Sequence, residues 1–68
     1  MTSPEQAAHA ATTLRAHLGD PAWLQLIDIS ASRDASHFVR VHVAQLTPEV
    51  RAAIPERIEG VDVWVGAL

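Results

Sequence analysis

The 68-residue chain contains neither cysteine nor lysine, and these two absences remove much of enzyme chemistry before any pattern is read. Without thiols there is no disulfide, no thiolate metal site and no cysteine nucleophile, and a cytoplasmic home is the natural expectation. Without lysine no Schiff base can form. All five basic residues are arginine, a usage that points to a GC-rich bacterial genome. Glycine is scarce too: Gly19, Gly60 and Gly66 are dispersed, so no glycine-rich loop can cradle a phosphate. No apolar run approaches the ~20 residues of a membrane span, and Met1 to Gln6 has neither the basic nor the apolar region of a signal peptide. Five basic residues stand against eight acidic ones, a net charge of −3, with no basic run and no RNP-like aromatic motif. Nucleic acid draws most of its binding energy from cations on the protein, so neither nucleic acid nor membrane is an expected partner.

What is present is an ordinary 49% of hydrophobic residues, much of it alanine, in a length that allows one domain over residues 1–68. Large core side chains are few, and a homo-oligomer or a protein partner would relieve that shortage. Ser3-Pro4-Glu5-Gln6 reads as a capped helix start. Ala7, Ala11, Leu14 and Leu18 then follow at helical spacing until Gly19, predicting a helix over 4–18. Trp23 to Ile29 is rich in large and β-branched residues and reads as a strand; His37 to Val43, with Val39, Val41 and Val43 alternating, reads as a second. The two should form a hairpin around Arg33-Asp34. Thr47-Pro48-Glu49 opens a short helix that Pro55 stops, Ile58 plugs the core, Gly60 permits a reversal, and Val61 to Val65 alternates as a last strand. The expected fold is α+β, in the order α-β-β-α-β, with a three-stranded antiparallel sheet of order 2-1-3 and two helices on one face. That order follows if the crossover between the second and third strands passes over the first.

Strand parity then divides the sheet. Val39, Val41, Val43, Val61, Val63 and Val65 should face the helices, together with Ile27 and Ile29. The opposite parity carries Leu24, Leu26, Asp28, Ser30, Phe38, Arg40, His42, Asp62 and Trp64, a mixture of large apolar and charged groups. If the hairpin is centred on Asp34, Asp28 lies across from Arg40, Leu26 across from His42 and Phe38 across from Ser30, which predicts an Asp28–Arg40 ion pair. A solvated face with exposed ion pairs is one reading of this surface. A docking surface is the other, because tryptophan and arginine concentrate at interface centres.

Catalytic constellations fare worse. His9 and His17 lie two helical turns apart, about 12 Å by helical rise, while His37 and His42 point to opposite sheet faces, so no metal site is expected. Ser30, Asp28 and His42 share a face, but no nucleophile-elbow motif accompanies them; an enzyme would need a site assembled between subunits around His42 and Asp28. Glu49 suits a helix N-terminus, and Glu56 and Glu59 are most simply solvated. No catalytic residue and no cofactor is therefore expected.

The run Ile54 to Val65, with the pattern P-x-x-I-x-G-V-x-V, and the preceding V-x-V-x-V strand resemble the closing segment of small bacterial α-β-β-α-β modules found beside or within trypsin-like peptidase proteins. The resemblance covers roughly the last two-thirds of the chain, with Asp62 where those modules often carry proline. It implies an accessory or interaction module with no catalytic residues. More distantly, the element order is similar to subtilisin-type propeptides lacking their first strand, which implies a regulator or inhibitor of a peptidase. The expectation is a non-catalytic interaction or oligomerisation module, acting through the helix-free face or an edge strand.

Overall fold

The computed structural model describes residues 1–67. Its element order is α1 (Pro4–Leu18), β1 (Leu24–Ala31), β2 (His37–Val43), α2 (Pro48–Ala53), β3 (Arg57–Ile58) and β4 (Val61–Ala67). Both helices begin as their sequences dictate. The Ser3 hydroxyl accepts the Gln6 N–H while the Gln6 side chain accepts the Ser3 N–H, a reciprocal pair that satisfies two otherwise orphaned donors. At α2 the Thr47 hydroxyl accepts the Val50 N–H, with Pro48 in the first turn where its missing N–H costs nothing.

The sheet is four-stranded and mixed, in the order β1-β2-β4-β3. β1 and β2 form the antiparallel hairpin, β2 and β4 are parallel neighbours, and β3 and β4 are antiparallel. This corrects the expected three-stranded antiparallel sheet of order 2-1-3. β2 is central and β1 is an edge. The physical reason lies in where each strand can hide its apolar groups. Val39, Val41 and Val43 all lie on one side of β2 and are fully buried, so β2 belongs beneath α1, which packs across both β1 and β2. β1 distributes its apolar residues over both faces, so Ile27 is buried beneath the helix while Leu26 is left exposed on the other side.

The second departure is β3. Glu59 and Gly60 both adopt positive φ, 53° and 76°, the left-handed pair of a two-residue hairpin turn that folds Arg57-Ile58 back onto Val61-Asp62. The core is the layer between α1 and the sheet: Ala7, Ala10 and Leu14 of α1 meet Ile27 and the three β2 valines, and Val50 of α2 joins the same cluster with Ile54 and Val61. Alanine at positions 7 and 10 fits this place because a helix laid closely on a valine surface leaves no room for longer side chains.

Candidate interaction surface

Three cross-strand rows build the helix-free face. The register places Leu26, His42 and Gly66 side by side, then Asp28, Arg40 and Trp64, then Ser30 and Phe38. These are the cross-strand partners that the Asp34-centred hairpin predicted. The hairpin achieves this register through the three residues between Ser32 and Ser36. Asp34 accepts from the Ser32 hydroxyl and the Ser36 N–H, and Ala35 takes φ 66° to close the turn. Those bonds stabilise the carboxylate form of Asp34 and hold its pKa below the usual aspartate value, the Ser32 hydroxyl contributing most.

At the centre, the Arg40 guanidinium grips Asp28 with two hydrogen bonds, Nε to Oδ1 at 3.0 Å and Nη2 to Oδ2 at 2.8 Å. This paired geometry lowers the Asp28 pKa, against the opposing effect of desolvation, and raises that of Arg40. His42 stands behind it, Nε2 3.6 Å from Asp28 Oδ1. The imidazole is largely covered because the Trp64 indole meets it edge-on, with centroids 5.7 Å apart and planes at 64°. Trp64 can lie there because position 66 is glycine: a β-carbon at 66 would collide with the indole ring. The tryptophan covers the bare backbone of its strand neighbour two residues on and buries it.

Two large apolar side chains of this face remain in water. Leu26 is 47% exposed and Trp64 46%, one on each side of the His42 ring, and Phe38 is partly buried at the far end. Asp62 is exposed at the start of β4 and pairs with Arg57 of β3, Nε to Oδ1 3.2 Å. Leu24 departs from its expected place. A register irregularity between Leu24 and Leu26 makes Gln25 an extra residue, so Leu24 pairs with Val43 and packs against the helix-side core. A bulge reverses side-chain parity beyond it, and residue types give no sign of one here.

Asp28 directs both oxygens to Arg40, and His42 Nε2 stands 3.6 Å from the same Oδ1. The four histidines go to different places. His9 lies 3.7 Å from Glu59, His37 has its Nδ1 buried without a partner, His42 is on the open face, and His17 is exposed in the last turn of α1. Among the described residues no group of three or more His, Asp or Glu stands together as a metal-binding set. Among the described residues no helix is long and apolar enough to cross a membrane. A groove of about 500 Å³ continues from the face around the β4 edge, between Arg51, Ile54, Pro55 and Glu56 on one wall and Trp64 with its strand neighbours on the other. The role of Gly66 is the feature that sequence reading missed. Its signal was available, because a W-x-G triplet in a strand puts an indole beside a position with no side chain. No family model, no curated protein and no solved structure matches the chain.

Proposed function

We propose that this chain is a non-catalytic self-association module whose open sheet face packs against the same face of a second copy. The observation that carries the reading is the pair of half-exposed apolar side chains, Leu26 and Trp64, flanking a charge cluster that is already satisfied within the chain. Asp28 neutralises Arg40 and Arg57 neutralises Asp62, so two such faces meet without like-charge repulsion even though the chain as a whole carries −3. The same patch on both subunits is what a two-fold interface requires.

Area sets the strength. The Cα envelope measures 31 × 22 × 17 Å, so one face has a projected area of roughly 700 Å² before side chains are added, comparable to the ~800 Å² per partner of a standard interface. Association through it is therefore dependent on concentration. The test is sedimentation velocity over a hundredfold concentration range. Wild type should self-associate as concentration rises, and Trp64→Ser should associate much more weakly with unchanged far-UV circular dichroism. A wild type that stays monomeric throughout, or a Trp64→Ser variant that dimerises equally well, would overturn the reading. A wild-type monomer that saturably binds another protein through Trp64 would transfer the face to that partner.

A further inference from the structure

The sheet has two edges, and they are treated differently. β4 is covered on its outer side by β3, and the Glu56 carbonyl extends that cover by accepting the Val63 N–H at 2.9 Å. β1 runs for eight residues with, among the described residues, no strand on its outer side, and it contains no proline. Edges of that length are normally blunted, because their unpaired N–H and C=O groups template another strand. Only the bulge at Gln25 interrupts this one.

The hydrogen-bond phase identifies which groups are free. Ser32 N–H donates to Ser36 C=O, while His37 N–H turns away from β1 and donates to Thr2 C=O. An antiparallel ladder alternates, so the backbone groups of Ile27, Ile29 and Ala31 point outward from the sheet. Ile29 carries a second sign of incompleteness. Its neighbours in the helix-side layer, Ile27 and Val39, are buried, whereas Ile29 remains partly exposed at the border of the core.

We infer that β1 pairs antiparallel with β1 of a second copy about a two-fold axis at Ile29, joining two four-stranded sheets into one of eight strands. This contact is separate from the face contact proposed above and does not depend on it. The chemistry selects the register. With the axis at Ile29, Ile27 pairs with the second copy's Ala31, the two Ile29 side chains meet and extend the core across the seam, and Asp28 lies opposite the second copy's Ser30, a hydroxyl donor facing a carboxylate. An axis at Asp28 would set two carboxylates directly opposite each other, and one at Ile27 would bring the strand into the Gln25 bulge.

The cysteine-free chain makes the register directly measurable. Directly opposed residues of a hydrogen-bonded antiparallel pair have Cα atoms about 5.5 Å apart, within disulfide range, whereas position 31 would lie ~13 Å or more from its own copy. Under mild oxidation Ile29→Cys should form the intermolecular disulfide at least tenfold faster than Ala31→Cys. Placing Ile29→Cys in a Trp64→Ser background removes the face contact and should leave the cross-link, so failure of the two readings is separable. Because Ile29 contributes to the core, Ser30 supplies an independent check. Ser30→Asp, facing the second copy's Asp28, should weaken association in the Trp64→Ser background at least tenfold, and Ser30→Arg should not. Equal cross-linking at positions 29 and 31, no cross-linking at either, or equal weakening by both Ser30 substitutions would overturn the pairing.

Discussion

Ala35 is the most informative single residue for stability. Its φ of 66° closes the three-residue hairpin loop, and an L-residue with a β-carbon is strained there by roughly 1 kcal/mol relative to glycine. The loop is otherwise well bonded: Ala35 N–H donates to Ser32 C=O at 3.0 Å, and Asp34 ties Ser32 to Ser36. Ala35→Gly relieves strain in the folded state but gives the unfolded chain more freedom, and the two effects oppose each other. Relief is the larger because the φ is positive, so a net gain of about 0.5 kcal/mol is expected in urea unfolding at constant m-value. A loss of stability would show that Ala35 is unstrained in this turn. Glycine would have been the readable residue at such a position. Alanine is the reason the sequence shows where the hairpin turns without showing how.

At the scale of elements, what was legible and what was not have different physical origins. The caps of α1 and α2 and the hairpin register are local, written in Ser3, Gln6, Thr47 and the alternation either side of Asp34, and the structure has them where the sequence puts them. Strand order is not local. The handedness of a crossover does not say how many strands it skips, and here β2 and β4 are direct neighbours. β3 escaped because two residues carry no periodicity and Glu59 is an uncommon residue at positive φ. The candidate face was mostly legible because parity survives an error in strand order; Leu24 was lost to the bulge. Gly66→Ala tests the element that gives the face its shape. The β-carbon meets the far end of the Trp64 indole, which can swing into solvent, and alanine in a strand recovers roughly 0.5–1 kcal/mol over glycine. Stability should therefore change by less than about 1 kcal/mol, while Trp64 leaves His42. In a Trp23→Phe background the remaining tryptophan emission should shift to the red. Unchanged emission would mean that glycine is not what seats the ring.

At the scale of the whole molecule the governing fact is the shortage of core. The fully buried side chains of any size are Leu14 and the three β2 valines, and the rest of the core is Ala7 and Ala10 with Ile27, Val50, Ile54 and Val61 toward its margin. A domain this small gains net stability only narrowly, so any contact made by the folded state alone shifts its unfolding measurably. For a dimer that unfolds to two chains, a tenfold rise in concentration stabilises each chain by roughly 0.7 kcal/mol by mass action. At this length that raises the melting temperature by about 3–6 °C. The wild type should show this slope in calorimetric scans wherever sedimentation finds a dimer. Losing the face contact through Trp64→Ser should flatten the slope unless β1 pairing alone sustains the dimer, in which case adding Ser30→Asp should remove what is left. A melting temperature independent of concentration in a wild type that sediments as a dimer would mean that the unfolding unit is the single chain. The domain would then stand on its four large core residues and the α1 alanines without help from a second copy.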